Sequence, residues 1–280
     1  MTRDDLLRRL GELRQGFSGR LGIAARHLGT GEAIEIDAGE PFPTASSIKI
    51  AVLVELFRQA EAGELSLRER LRYGARDRTL GSGLLGDLDE GLEPTLRDLA
   101  VLMMAISDNT ATNLLIDRVG LARVNAMLRA AGVTGITLHN RIDFDLIRQS
   151  NDSLAVGTPA AFVQVLTALW EGRLLDVAHR DGALAIMRIQ KYIEPIRRRL
   201  PYNPYAVEFG EPQEVWIASK TGSLSGVRCE SGLVGSGATV YALSVMSKDG
   251  ADRVATSDNE GVRAIAAASE LFYRYWIGGP

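Results

Sequence analysis

Apolar and polar positions follow a helical period through the middle of the chain and a strand period near both ends. Apolar residues three and four apart indicate amphipathic helices, whereas alternation at every second residue indicates half-buried strands. Helical spacing and start signals, such as a capping threonine at position 95, predict helices over residues 2–17, 46–57, 95–106, 111–119, 121–131, 159–170, 182–190 and 259–276. Runs bounded by glycine, serine or proline predict strands over residues 21–28, 33–36, 215–220, 227–234 and 239–246.

The predicted strands lie at the two ends of the chain, and most of the predicted helices lie between them. The simplest assembly is an α/β fold of α+β type, in which both ends contribute to one antiparallel sheet of about five strands. The first and last helices flank this sheet in a lobe made of residues 1–43 and 200–280. Residues 44–199 form a second, all-helical lobe. A cleft between two such lobes is the usual place for a small-molecule site.

One predicted helix is apolar on nearly every side but carries a lysine near its beginning. From Ile48 to Phe57 only Lys49 and Glu55 are charged, and a helix that is apolar all round is normally buried. A buried ammonium group needs a partner or a lowered pKa. Ser46 precedes Lys49 by three residues and lies on the same face of the first turn. This spacing predicts a hydroxyl beside an amine that burial pushes towards its neutral form.

Composition narrows the classes of partner. The 280 residues carry 32 basic and 35 acidic side chains, a balance that indicates neither nucleic acid nor a membrane as a partner. The N-terminal residues lack the apolar core of a signal peptide, so we expect a cytoplasmic protein, or a periplasmic or secreted one whose leader was removed. The scattered histidines His27, His139 and His179 show no ligand spacing, and with Cys229 as the single cysteine no metal or other cofactor is predicted.

Three short motifs follow one another along the chain: Ser46-Ser-Ile-Lys49, Ser107-Asp-Asn109 and Lys220-Thr-Gly222. Each alone has an ordinary explanation, namely a helix cap, a helix-ending turn and a strand end. In this order they are the motif set of serine enzymes that acylate on β-lactams. The chemistry agrees, because a serine nucleophile requires an adjacent base and a buried lysine can be that base.

The sequence around these motifs resembles class A β-lactamases from about residue 19 to the C-terminus. The resemblance is carried by the segments 107–116 and 220–228, and it is nearest to a branch of serine hydrolases with the pattern KTGSLxGVR. It implies the two-lobe fold described above. It also implies that Ser46 is the nucleophile, that Lys49 is the base and that Ser107 relays a proton to the leaving nitrogen.

The same resemblance implies the groups that bind substrate. Asn109 is expected to contact the substrate amide, and Lys220 to raise the positive potential near Ser107 and a substrate carboxylate. Thr221 is expected to offer this carboxylate a hydroxyl, and Arg228 a bidentate contact, although a solvated arginine at a strand end is nearly as good an interpretation. The backbone N–H groups of Ser46 and Ser223 correspond to the oxyanion hole of the family.

The segment from Asn140 to Gly157 departs from the pattern of class A enzymes. Those enzymes use a glutamate and, four residues later, an asparagine to hold the water that hydrolyses the acyl-enzyme. Counted from Arg141, Asp143 falls on the glutamate and Ile147 on the asparagine. Asp145 is a second candidate, and both aspartates could be solvated loop residues. The sequence therefore predicts a complete set of groups for acylation and an impaired deacylation. Asp143 is the candidate catalytic carboxylate.

Taken together, the sequence predicts a serine hydrolase that forms an acyl-enzyme at Ser46 and opens β-lactam rings, with slow release. The alternatives are an esterase or D-amino-acid peptidase of the same fold, and a penicilloyl-binding sensor. Glutaminases with a serine–lysine pair are less similar. The expected partner is a small β-lactam, peptide or ester, with no nucleic acid and no membrane.

Overall fold

The computed structural model describes residues 1–278 of the chain. The α-helices in this part are α1 (Arg3–Gly16), α2 (Lys49–Glu61), α3 (Leu96–Ala105), α4 (Asn109–Val119), α5 (Leu121–Ala130), α6 (Phe144–Gln149), α7 (Pro159–Trp170), α8 (Val177–Arg188) and α9 (Glu260–Trp276). The strands are β1 (Arg20–His27), β2 (Ala33–Ile36), β3 (Phe42–Pro43), β4 (Ile136–Leu138), β5 (Ala155–Gly157), β6 (Trp216–Leu224), β7 (Val227–Ser236) and β8 (Thr239–Lys248).

The main sheet has five antiparallel strands in the order β2-β1-β8-β7-β6. Short turns join its neighbours in sequence, and each contains a glycine with positive φ: Gly31 at +78°, Gly226 at +69° and Gly237 at +55°. Such φ values suit glycine, which has no Cβ to clash. The predicted sheet built from both chain ends is confirmed.

Each face of the sheet packs against different helices because side chains alternate between the faces along a strand. Leu21 and Ile23 of β1 belong to a buried cluster with residues of the terminal helices, including Leu10 of α1 and Ile265 of α9. Ala24, which follows Ile23 and points to the opposite face, belongs to the other cluster, which contains the helical region. The terminal helices therefore flank the sheet on one side, as predicted.

Several boundaries differ from the predicted ones for identifiable reasons. Helix α8 begins at Val177 rather than at 182, because Asp176 caps it through a hydrogen bond from the His179 N–H to Oδ1 (2.8 Å). The helix predicted from position 46 begins as a 3₁₀ turn, Ala45–Ile48, and becomes α-helical at Lys49. Strand β6 continues to Leu224 and so includes the whole third motif.

A second, three-stranded sheet of order β3-β5-β4 was not predicted. Its strands have two or three residues each, too few to show a period in sequence. The region 44–199 is therefore mainly helical rather than all-helical. The lobe boundaries 1–43 with 200–280 and 44–199 stay a prediction, and residues 279 and 280 lie outside the described residues. In the described part, no helix is long and apolar enough to cross a membrane.

Candidate active site

A cavity of about 800 Å³ opens between the end of strand β6, the turn before α2 and the segment around α6. Residues of all three sequence motifs line it, namely Ser46, Ser107, Asn109 and Thr221. The wall of the cavity also includes Ser82, Ile142, Phe144, Ile147, Arg148, Leu154, Glu194, Ser223, Ser225, Arg228 and Thr256. This volume lies within the range of sites for small molecules.

Ser46 stands in the 3₁₀ turn at the front of α2, half-buried and on the wall of the cavity. The turn is fixed to strands β6 and β7, since Ser47 Oγ donates to the Lys220 carbonyl (3.2 Å) and Cys229 Sγ donates to the Thr44 carbonyl (2.9 Å). Strand β6 passes so close that a Cβ at Gly222 would lie 2.9 Å from the Ser46 nitrogen and 2.5 Å from the Cys229 sulfur. Glycine at 222 therefore permits the approach of the two segments.

Lys49 is completely buried, and its Nζ contacts the second motif. Nζ donates to the Ser107 carbonyl (2.8 Å), to Ser107 Oγ (2.9 Å) and to Asn109 Oδ1 (2.9 Å). Burial holds the pKa of Lys49 well below that of an ordinary lysine, and the nearby Lys220 charge lowers it further against an opposing effect of Asp108. The neutral amine has a lone pair with which to accept a proton.

Ser107 follows α3 with a φ of +58°, and the loop around it is held from two sides. Asp108 caps α4 through Oδ1, which accepts from the Ala111 N–H (2.8 Å), while its Oδ2 accepts from the Leu84 and Leu85 N–H groups (2.7 and 2.8 Å). Ser82 Oγ donates to the Ser107 carbonyl (2.8 Å). Ser82 was not predicted from the sequence, where the flanking Gly81 and Gly83 were the available signal of a close backbone contact.

Asn109 does not project freely into the cavity. Its Nδ2 donates to the Leu80 carbonyl (2.8 Å), and its Oδ1 accepts from Lys49. The side chain is thus hydrogen-bonded at both ends, which leaves a substrate amide the second N–H of Nδ2 or an Oδ1 shared with Lys49.

Lys220 is also completely buried, on the β6 strand at the opposite end of the motif set. Its Nζ donates to the Thr221 carbonyl (2.9 Å) and to Thr221 Oγ1 (3.4 Å). Burial lowers the pKa of Lys220 to about 7, although the negative charge of Glu230 raises it in part. Lys220 and Lys49 are therefore two buried amines, and the positive charge of Lys220 disfavours a positive charge on Lys49.

A buried polar network that the sequence analysis missed lies behind Thr221. Gln190 Oε1 accepts from Thr221 N (3.0 Å) and from Thr221 Oγ1 (3.1 Å), and its Nε2 donates to Ser219 Oγ (2.9 Å) and to Glu230 Oε1 (3.1 Å). Glu230 also accepts from Ser219 Oγ (2.6 Å) and lies 3.5 Å from an Arg197 nitrogen. A glutamate inside a predicted strand, Glu230 in β7, was the signal in sequence.

A family model described as the β-lactamase enzyme family matches residues 5–276. The chain belongs to the β-lactamase enzyme family. It is 29% identical over 173 residues to the imipenem-hydrolyzing β-lactamase of Enterobacter cloacae. These residues cover 60% of this chain and 58% of that protein, less than two thirds of its length. It is 25% identical over 277 residues to the β-lactamase regulatory protein BlaB of Streptomyces cacaoi, covering 86% of this chain and 88% of that protein.

The similarity to solved structures agrees with this family. The β-lactamase of Sphaerobacter thermophilus superposes with a TM-score of 0.85 at 28% identity, covering 98% of both chains. PBP-A superposes with a TM-score of 0.82 at 24% identity, covering 98% of this chain and 96% of that one, a likeness that concerns the fold alone. The resemblance to class A β-lactamases inferred from the motifs is therefore confirmed, as a distant one.

Within this β-lactamase-family cavity, Arg228 and Ser223 face each other across strands β6 and β7. Arg228 directs three N–H bonds to the carbonyls of Leu224, Val227 and Val254, each at 2.8 Å. Burial lowers its pKa from the usual arginine value. The arginine thus holds the β6–β7 turn and is buried, so the interpretation as a solvated arginine is wrong. It lines the cavity with two of its five N–H bonds not engaged by these carbonyls, and its contact with a substrate carboxylate stays a prediction.

Asp143 does not line the cavity. It is exposed, and its Oδ1 accepts from the N–H groups of Asp145 (2.8 Å) and Leu146 (3.3 Å), so that it caps helix α6. Asp145 is exposed as well and pairs with Arg148. These contacts do not support a catalytic role for Asp143, and they correct the placement inferred from the family's loop. Ile147, by contrast, does line the cavity, where it presents an apolar surface.

We expect Asp143→Ala to lower the free energy of unfolding by about 1 kcal/mol, the usual effect of losing a helix cap. Acylation at Ser46 and release of the acyl group should both remain within about twofold of wild type, because an ordinary exposed substitution has small effects. Thermal unfolding and single-turnover mass spectrometry measure the two quantities. A much longer lifetime of the acyl-enzyme in this variant would show that Asp143 takes part in deacylation.

Among the described residues, one group could offer three ligand atoms to a metal: Glu61, Asp176 and His179. His179 Nδ1 lies 2.9 Å from Asp176 Oδ1, so the two side chains already satisfy each other. Glu61 and Asp176 are exposed, and none of the three lines the cavity. Exposed acidic groups of this kind are common on protein surfaces, and this one has no connection to the site.

Proposed function

We propose that the chain is a serine hydrolase that is acylated at Ser46, opens β-lactam rings and releases the acyl group slowly. The observation that carries the proposal is the buried amine of Lys49, whose pKa is lowered and which donates to Ser107 Oγ (2.9 Å). Ser46, three residues before Lys49, lines the same cavity as Ser107, which supports a base and a proton donor near the nucleophile.

In the acylation step, neutral Lys49 takes the proton of Ser46 as Ser46 Oγ attacks the lactam carbonyl carbon. The backbone N–H groups of Ser46 and Ser223 stabilise the negative charge on the carbonyl oxygen. As the carbon–nitrogen bond breaks, Ser107 gives its proton to the leaving nitrogen and receives one from Lys49. The amine ends neutral, and the proton of Ser46 has been transferred to the product.

Release of the acyl group requires a base for water. Among the described residues that line the cavity, Glu194 alone has a carboxylate, and it lies 3.5 Å from Arg198 in a half-exposed position. The positions on α6 that line the cavity are Phe144, Ile147 and Arg148, none of which can take a proton from water as a base. A missing general base typically costs on the order of a hundredfold or more in rate. Deacylation is therefore the slow step.

Slow release also defines the second candidate, a penicilloyl-binding sensor that is acylated once and stays acylated. Its support is the same apolar wall, together with the similarity to the Streptomyces cacaoi regulatory protein over most of both chains. An esterase or D-amino-acid peptidase of this fold would use the same groups on another acyl donor. The candidates differ in how long the acyl group stays on Ser46.

The test is the intact mass of the protein after addition of a penicillin, followed over hours. We expect the mass of one penicillin to appear on each chain and to disappear slowly, with hydrolysed penicillin accumulating at the same rate. A permanent adduct would favour the sensor. No adduct and no hydrolysis would refute acylation by β-lactams and leave the ester or peptide substrates to be tested.

A further inference from the structure

Strand β6 is an edge strand of the main sheet, so half of its backbone hydrogen-bonding groups face away from strand β7. The Thr221 N–H is one of these groups, since it donates to Gln190 Oε1 (3.0 Å). Backbone direction repeats at every second residue of a strand, and the pairing of β6 with β7 is continuous from Trp216 to Leu224. The Ser223 N–H therefore points to the same outer edge, where Ser223 lines the cavity.

Three consecutive residues of β6 connect Gln190 with the proposed oxyanion hole. Gln190 holds Thr221, and the next residue, Gly222, lies against the turn of the nucleophile, since a Cβ there would be 2.9 Å from the Ser46 nitrogen. Ser223 follows and supplies the second N–H group proposed for the hole. A displacement of the strand at residue 221 therefore changes the distance between the two N–H groups that stabilise the carbonyl oxygen.

The Gln190 amide is held in one orientation by buried partners. Its Nε2 donates to Ser219 Oγ (2.9 Å) and to Glu230 Oε1 (3.1 Å), and the side chain is 3% exposed. Glu230 is fully buried and also accepts from the Ile196 N–H (2.8 Å). Turning the amide round would place Nε2 against the Thr221 N–H and Oε1 against a carboxyl oxygen. Because these groups are buried, water cannot compensate for such contacts.

The residue after Gln190 connects the same segment with the other side of the site. The Lys191 N–H donates to the Ala105 carbonyl (2.8 Å), at the end of α3 and two residues before Ser107. Ser107 is the proposed proton donor to the leaving nitrogen. Gln190 thus lies between the loop of Ser107 and the strand of Ser223, but it is not part of the cavity wall. It can therefore act on the reaction only through other residues.

We propose that Gln190 is a positioning residue for acylation: it holds the edge of β6 at Thr221 and thereby sets the position of the Ser223 N–H. This inference rests on the proposed acylation of Ser46. Inside a sheet, the carbonyl of a neighbouring strand would bind such an N–H group, and at this edge the Gln190 side chain takes its place. The expected contacts of a substrate carboxylate with Thr221 and Arg228 are unaffected.

The experiment replaces Gln190 and follows acylation by benzylpenicillin that is isotopically labelled at the lactam carbonyl. Gln190→Met has a similar length without the hydrogen bonds. At saturating penicillin its rate of mass gain should fall by roughly tenfold to a hundredfold, the scale of a small misplacement. The infrared band of the acyl-enzyme carbonyl should move to a higher wavenumber, because weaker hydrogen bonds polarise the carbonyl less. Gln190→Asn, whose amide is one methylene shorter, should change both quantities in the same direction.

Gln59→Met is the matched control for the loss of a buried glutamine. Gln59 is 2% exposed, and its Nε2 donates to Glu55 Oε1 (2.7 Å) and to the Val119 carbonyl (2.8 Å), away from the cavity wall. We expect this control to lower the melting temperature without changing the saturated rate or the carbonyl band.

An unchanged rate and band in a folded Gln190 variant overturns the inference, and so do equal changes in Gln59→Met. Both results leave the proposed function standing, because the wild-type protein is still acylated. Absence of any adduct on the wild-type protein overturns the proposed function and the inference together.

Discussion

Ser46→Ala will abolish covalent labelling by penicillin while leaving the fold intact. The variant lacks the only atom that the proposed mechanism joins to the substrate, and removal of a nucleophile can cost on the order of a millionfold in rate. The fold should persist because the turn around Ser46 is held by Ser47 and Cys229 rather than by the Ser46 hydroxyl. Intact mass after prolonged incubation measures the labelling, and thermal unfolding measures the fold.

Ser225→Ala is the matched control for this change. Ser225 lines the same cavity, and its backbone carbonyl, which the substitution leaves in place, accepts from Asn151 Nδ2 (3.0 Å). Its replacement should leave the labelling rate near that of wild type. Labelling of Ser46→Ala at any other serine would show that the nucleophile has been assigned to the wrong residue.

Lys49→Arg should slow acylation by at least about a hundredfold, the usual scale for loss of a general base. A guanidinium group stays protonated at any working pH and cannot take the proton of Ser46. In wild type, acylation should slow as the pH falls through the lowered pKa of Lys49, because protonation removes the base. The rate of mass gain at a series of pH values measures both effects.

Because Lys49 is fully buried, the larger arginine also costs packing, and a second variant is needed to separate the effects. Lys49→Met has a similar length without a charge, and we expect it to fold and to be equally slow. Lys191→Arg, at an exposed lysine, is the control for the exchange itself. Near-normal acylation in a folded Lys49 variant would mean that another group accepts the proton.

The sequence predicted those features that depend on local periods or on motifs. Alternation in strands and spacing in helices located the main sheet and its flanking helices, since burial of one face imposes a period on the residues. The buried helix with Lys49 at its beginning predicted the lowered pKa, because an amine among apolar residues has no alternative to a partner or neutrality.

The features that were missed depend on contacts between distant segments without regular structure. Gln190 follows α8 and contacts β6 and β7, so no local pattern connects it with Thr221 or Glu230. Asp143 was placed by counting along a loop, whose conformation no period determines. There its carboxylate caps α6 instead of facing Ser46.

The order of strands in the main sheet has a consequence for how the protein folds. Strand β1 pairs with β8, and its residue Arg20 is opposite Lys248, more than 200 positions away. Contacts of such high sequence separation form late and slowly, because loop closure precedes any gain from pairing. During synthesis β1 has to wait for β8 until nearly the whole chain has emerged. Covalent capture of a penicillin by Ser46 would therefore report on completed folding, and its rate after dilution from denaturant could be used to time sheet closure.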